Sequence, residues 1–356
     1  MSPSKDIPQL GFWEWADLPF VKLSIYGSML YAAITGAFRG KASPKKFSHH
    51  LITAAVRKYT DRTTLRQKQY IQPPTDDVYA SVMRQRGLQP ETVELPHNAA
   101  GHWIGNKNAK NVLVYYHGGG FVMPALPSQV GFWVDMIKAL NENGHDIAVL
   151  FPRYSLAPFG SYPTQLRQSV GALRYILTET GRSPSDVMIG GDSAGGNLAL
   201  AVLLHLSHPH PDIDPLELSA PLAGAFGYAP WINFSVDWPS MTENAYKDVL
   251  TTTALNIWSK AYMDGKTGDS WSEPDRAPVD WWKDVKTEHV MILVGGDELF
   301  LSPIEAFAKK VKTAFPNTTY VVGDDESHDA PFFVAAQEKE ETQTGAELRK
   351  WIASRL

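Results

Sequence analysis

An α/β fold, with a mostly parallel central sheet flanked by helices, is the class this sequence predicts. Two observations carry it. From about residue 111, short apolar β-branched runs alternate with longer stretches whose apolar residues recur every three or four positions, as in strands joined by crossover helices. The 356 residues are 44% hydrophobic and only 20% charged, enough apolar material for one large core.

Taken in order, the runs Val112–Tyr116, Ile147–Phe151, Val187–Gly190, Gly224–Tyr228, Val290–Val294 and Tyr320–Val322 read as strands buried on both faces. Phe132, Met136, Ala139 and Leu140 form one helical stripe, and Leu166, Val170, Leu173 and Leu177 a second. Ser302-Pro303-Ile304-Glu305 reads as a capping box with proline at the first helical position, followed by Phe307, Val311 and Phe315 on one face. A terminal helix capped by Thr344, with Glu347 three residues on, would bury Leu348, Ile352 and Leu356.

Two regions interrupt the alternation, residues 1–70 and the Trp- and Tyr-rich stretch 235–280. Both read as helical cap segments over a core made of residues 71–234 and 281–356. No linker, repeat or low-complexity tract marks a second domain. Residues 20–38 are apolar but diluted by Lys22, Ser24, Gly27, Ser28, Thr35 and Gly36. An amphipathic helix lying on the protein is therefore expected, with no integral membrane span. A peripheral-membrane role for this segment is the rival reading, and liposome flotation of a deletion variant would test it.

Composition excludes several function classes. There is no cysteine, hence no disulfide framework, thiolate metal site or cysteine nucleophile. A net charge of −5 without a basic stripe argues against nucleic-acid partners and leaves a small molecule as the expected substrate. The first residues, Met1 to Asp6, lack the pattern of a signal peptide, so an intracellular, cytoplasmic protein is expected. The final Ser354-Arg355-Leu356 is close to a peroxisomal address. A homodimer is compatible with the chain.

Gly191-Asp192-Ser193-Ala194-Gly195 sits directly after a strand and before the apolar helix Asn197–Leu206. A serine on so tight a turn needs small neighbours, and the turn lifts its hydroxyl over the sheet edge. Ser193 is thus the candidate nucleophile. His117-Gly118-Gly119-Gly120-Phe121 follows another strand, and unobstructed backbone N–H groups there can be aimed at a developing oxyanion. A phosphate loop would continue with Lys-Ser or Lys-Thr, whereas Phe121-Val122-Met123 follows.

A serine needs a histidine base and a carboxylate to orient it, in the chain order Ser, Asp or Glu, His. Asp297, after the strand ending at Val294, and His328, after the strand ending at Val322, satisfy order and placement. Glu298 could replace Asp297, and Asp324 or Asp325 could approach His328. Asp192 reads as a loop-fixing residue. His205, His208 and His210 resemble a metal cluster but lie at a helix end beside two prolines, and read as a surface connection. No metal and no cofactor are expected.

Together with Tyr154-Ser155-Leu156-Ala157-Pro158 and Gly-Asp-Ser-Ala-Gly-Gly-Asn, these motifs resemble the hormone-sensitive-lipase-like family of α/β-hydrolases over roughly residues 100–335. Pro278-Val279-Asp280-Trp281-Trp282 and His328-Asp329-Ala330-Pro331 resemble its fungal branch of steryl acetyl hydrolases and secondary-metabolite esterases. The resemblance implies an α/β-hydrolase fold and a serine esterase with a Ser193, Asp297, His328 triad. It also implies an oxyanion hole of the Gly119, Gly120 and Ala194 N–H groups, supported by His117, Gly118 and Asp192.

The expected reaction is hydrolysis, through an acyl-enzyme, of a short-chain, acetyl-like ester of a bulky apolar or polyketide-like molecule. Trp13, Trp15, Trp231, Trp238, Trp258 and Tyr262 are candidates for lining its pocket. A cyclase or condensation catalyst using the same groups is the alternative. A ligand-binding pseudo-hydrolase such as the gibberellin receptor, which lacks the histidine, is disfavoured by His328. Two departures from the family pattern stand out: Ser302 replaces a second aspartate, and Asp329-Ala330 replaces Gly-Phe after the histidine.

Overall fold

The computed structural model describes residues 8–40, 42–335 and 341–356. Met1–Asp6, on which the signal-peptide reading rests, lies outside them. Four helices come first: α1 (Phe12–Thr35), α2 (Phe47–Arg62), α3 (Leu65–Ile71) and α4 (Thr75–Gln85). Then follow β1 (Glu91–Leu95), β2 (Ala99–Ile104), β3 (Asn111–Tyr116), α5 (Pro127–Glu142), β4 (Ile147–Arg153) and α6 (Thr164–Thr178). The alternation continues through β5 (Val187–Asp192), α7 (Ala194–Ser207) and β6 (Gly224–Tyr228). The insertion holds α8 (Pro239–Glu243) and α9 (Thr252–Met263). The chain closes with β7 (Val290–Gly295), α10 (Leu301–Ala314), β8 (Thr318–Gly323) and α11 (Gln343–Ala353).

The eight strands form one sheet in the order β1-β2-β4-β3-β5-β6-β7-β8. From β4 to β8 all pairings are parallel, while β1 and β2 add an antiparallel edge. All six expected strands are present. β1 and β2 escaped notice because β1 alternates partly exposed polar residues, and β2, Ala-Ala-Gly-His-Trp-Ile, lacks a β-branched run. Buried side chains form a core on each face of the sheet, one against α6, α7 and α10, the other against α4, α5 and α11. Of α7's fourteen residues all but the last are buried, so it carries no amphipathic stripe.

Two helix starts differ from expectation. α10 begins at Leu301, so Pro303 is its third residue, and Ser302 exchanges hydrogen bonds with Ser240 of α8 instead of capping. α11 is capped by Thr342, whose hydroxyl accepts the Gly345 N–H at 3.0 Å. Thr344 is drawn into the core instead, bonding Glu326 and Tyr228. In both cases a tertiary partner outcompetes the local cap.

α1 carries an exposed apolar surface. It packs on α2, but Phe12, Trp13, Phe20, Leu23, Tyr26, Leu30, Tyr31 and Ile34 are all exposed, whereas Val21 and Ala32 are buried. By length and composition Phe12–Phe38 is long and apolar enough to cross a membrane.

Candidate active site

The turn at Ser193 is sterically tight. Ser193 has φ 51° and ψ −116°, a region that costs energy for a residue with a side chain and is held by its surroundings. Its N–H donates to the Tyr228 carbonyl at 2.8 Å and its carbonyl accepts the Trp231 N–H at 3.0 Å. The glycine at 195 is dictated by close approach, since a Cβ there would stand 1.9 Å from the Tyr116 carbonyl oxygen. Small neighbours thus let α7 start directly beneath the serine, its N-terminal dipole aimed at the site.

The glycine loop leaves β3 beside this turn. Gly119 and Gly120 have φ of 115° and 62°, and a Cβ on Gly120 would collide with the Trp258 ring at 2.4 Å. Among the described residues, no hydrogen bond engages the N–H groups of Gly119, Gly120 or Ala194. The loop's base is tied down by Asp192. Its Oδ1 accepts the Gly118 N–H at 2.8 Å and the Tyr115 hydroxyl, and its Oδ2 accepts Gln129 Nε2 at 2.7 Å. His117 is fully buried between the rings of Phe151 and Tyr154, with Nδ1 2.7 Å from the Gly118 carbonyl. Burial lowers its pKa to about 4, so it braces the loop as a neutral ring.

His328 meets a carboxylate, but the carboxylate is Glu298. Its Oε2 lies 2.9 Å from His328 Nδ1, while Oε1 accepts the Gly295 N–H at 2.6 Å. Asp297, the residue expected there, points the other way and pairs with Lys247 at 2.9 Å. The physical reason is local. β7 ends at Gly295, and the turn that follows aims residue 297 outward and residue 298 inward, where the longer glutamate reaches the ring. Asp325 is likewise occupied elsewhere, by Lys45 at 2.6 Å.

Asp248, in the insertion, is fully buried behind the histidine. It accepts the His328 N–H at 3.1 Å and the Leu299 N–H at 2.6 Å, and so ties the two loops together. Burial raises its pKa to about 6 despite the favourable field of His328. The sequence signal for it was weak: one acidic residue set against Val249-Leu250. Burial also pushes Glu298 well up and His328 below its ordinary 6.5, holding the imidazole neutral with Nε2 able to accept a proton. Nε2 faces Asp329 Oδ2 at 3.2 Å.

Ser193, His328, Asp329 and Gly118–Gly120 of the core line one cavity of about 230 Å³. Val56, Tyr59 and Thr60 of α2, with Val249, Leu250 and Trp258 of the insertion, close it from above. Residues of α2 and of the stretch 235–280 therefore meet over the serine. Arg57 fastens them, donating to the carbonyls of Ala245, Asp248 and Leu250. Gln69 Nε2 fastens α3 to the core through the carbonyls of Val122 and Ala157, both at 2.7 Å.

Of the aromatic candidates, Trp258 lines the cavity. Trp13 and Trp15 are exposed, and Trp231 and Tyr262 pack around Phe121. His205 and His210, expected at a surface connection, are instead buried, and their Nδ1 atoms accept the backbone N–H groups of His210 and Asp212.

Sequence comparison agrees with the fold. The family described as the alpha/beta hydrolase fold matches residues 113–332. The chain belongs to that family. It is 28% identical over 218 residues to steryl acetyl hydrolase 1 of Saccharomyces cerevisiae, covering 57% of this chain and 48% of that one. It is 31% identical over 157 residues to carboxylesterase NlhH of Mycobacterium tuberculosis, covering 43% and 45%.

The chain thus spans about half the length of these curated relatives. A crystal structure of an esterase from the bacterial hormone-sensitive lipase family superposes with TM-score 0.63 at 23% identity, covering 94% of this chain and 96% of that one. A mutant of esterase E40 gives 0.67 at 24% identity, covering 87% and 99%. The shared fold reaches beyond the matched stretch of sequence.

Proposed function

We propose that this α/β-hydrolase is a serine carboxylic ester hydrolase acting through an acyl-enzyme. The observation that carries the reading is the common cavity of Ser193, His328 and the glycine loop, with Glu298 bonded to the far nitrogen of the histidine. Ser193 attacks the ester carbonyl and His328 Nε2 takes its proton. Glu298 holds the ring in the accepting tautomer, and the N–H groups of Gly119, Gly120 and Ala194 receive the oxyanion. Water then resolves the acyl-enzyme by the same route.

The small, mostly apolar cavity and the likeness to a steryl acetyl hydrolase support a short-chain, acetyl-like ester of a bulky apolar alcohol. Ser193→Ala is expected to abolish p-nitrophenyl acetate hydrolysis and labelling by a fluorophosphonate. Retention of wild-type turnover by that variant would refute the assignment. For chain length, kcat/KM should favour acetyl over long acyl esters, and the reverse order would overturn the substrate class.

A further inference from the structure

α1 carries different chemistry on its two sides. Its carboxylates turn toward the protein: Asp17 accepts hydrogen bonds from Arg62 and Gln67, and Glu14 meets Arg66 and Thr64. Ser28 donates to the Ala54 carbonyl at 3.2 Å, and Val21 and Ala32 are buried. On the other side Trp13, Phe20, Leu23, Leu30 and Ile34 recur at spacings of three, four and seven and, with Tyr31, are each at least 62% exposed. Single exposed apolar side chains need no partner. A continuous stripe of them along a 24-residue helix marks a contact surface.

Charge says what that surface meets. Residues 12–62 hold eight Lys and Arg against three Asp and Glu, whereas the whole chain holds 33 against 38. The N-terminal hairpin is thus a basic segment on an acidic protein. Arg39 to Lys46 adds four cations and no acid just after α1, although Lys45 also pairs with Asp325. Lys22, exposed within α1, has an apolar stem that can lie along lipid while its ammonium stays among headgroups. Such a segment is attracted by an anionic lipid surface and repelled by a second copy of itself. The exposed rings of Trp13, Trp15, Tyr26 and Tyr31 belong to the types favoured at the boundary between lipid and water.

We propose that the exposed face of α1 is a membrane-docking surface, on which the protein lies with the helix in the plane of an anionic phospholipid bilayer. The helix is about 36 Å long, enough to span a bilayer, but its inner face decides the orientation. Spanning would strip Asp17 from Arg62 and Gln67 and carry two carboxylates into hydrocarbon, whereas lying flat keeps every one of these bonds. α2 packs against α1 and lines the catalytic cavity with Val56, Tyr59 and Thr60. The bilayer would then lie about one helix diameter, roughly 10 Å, beyond that wall of the cavity.

Flotation of the full chain with phosphatidylcholine vesicles, with and without phosphatidylserine, tests the docking. Binding is expected on the anionic vesicles, and Lys22→Gln should weaken it about fivefold. The combined variant Leu23→Ser, Leu30→Ser, Ile34→Ser should lose flotation with its Tm unchanged, because all three side chains are exposed. Orientation is read from single labels, since the chain has no cysteine of its own. Trp13→Cys, Leu23→Cys and Ile34→Cys, each carrying an environment-sensitive fluorophore, should be quenched by lipid-borne nitroxides at one shared depth, about 5–10 Å into the headgroup and acyl boundary. Asn108→Cys, exposed in the turn between β2 and β3, should stay unquenched.

Flotation that survives the triple serine variant overturns the proposal, as does its absence from anionic vesicles. So does a concentration-dependent dimer that the same variant abolishes, which would make a second copy the occupant. Quenching deepest at Leu23 and shallow at both ends would mean a spanning helix and overturn the in-plane placement. None of these measurements reads hydrolysis, so failure of the esterase reading leaves the result standing.

Discussion

At His328 burial and charge oppose each other, and burial wins. Removing the ring from water disfavours the imidazolium more than the charges of Asp248 and Asp192 favour it, so its pKa falls below 6.5. A base is lost when protonated, so the acid limb of kcat/KM should have its midpoint below 6.5, measured with a neutral ester. A midpoint above that value would contradict the burial argument. The adjacent acids separate cleanly by partner. Glu298→Gln should lower kcat by about 10³- to 10⁴-fold, as loss of a triad carboxylate does. Asp297→Asn, which removes only the Lys247 pair, should stay within about threefold. Equal losses in the two variants would sink the assignment of Glu298.

Among the elements, the β5-to-α7 turn and α1 behave oppositely. Gly195 touches the Tyr116 carbonyl, so Gly195→Ala must displace β3 or α7 and should destabilise the fold by about 2 to 4 kcal/mol, visible as a lower Tm. In α1 the outcome depends on the face. Leu23→Ser and Leu30→Ser lie on exposed positions and should change stability by no more than about 0.5 kcal/mol. Val21→Ala, at a buried position, should cost about 1 to 2 kcal/mol by denaturant titration. If the exposed leucines proved the costlier, the docking of α1 would have to be redrawn.

Across the whole molecule, the lining of the cavity depends on pairings distant in sequence. Arg57 on α2 reaches carbonyls about 190 residues away, and it binds the N-terminal segment to the insertion over Ser193. Arg57→Ala leaves those carbonyls without their charged donor, at a cost of about 1.5 to 3 kcal/mol. Because Val56, Tyr59, Val249 and Leu250 would lose register, KM for a bulky ester should rise more than KM for p-nitrophenyl acetate. Equal KM values for the two esters, relative to the intact protein, would argue against a clasped cap.

By itself the sequence determined the alternating architecture, the strands β3 to β8, the serine turn, the glycine loop and His328. Each rests on short-range chemistry: apolar runs suited to burial on both sides, glycines where the backbone must approach, and a motif contained in a few consecutive residues. Only the tertiary structure decided which of two adjacent acids turns toward the histidine. The direction of residues 297 and 298 is set by how the strand end packs against Glu326 and Asp248, far along the chain. The same holds for Ser302 and Thr344, taken from their caps by Ser240 and by Glu326, and for Asp329, whose carboxyl the fold sets 3.2 Å from Nε2 of His328. Local pattern records what a residue can do. Its partner in the folded core decides which of those things it does.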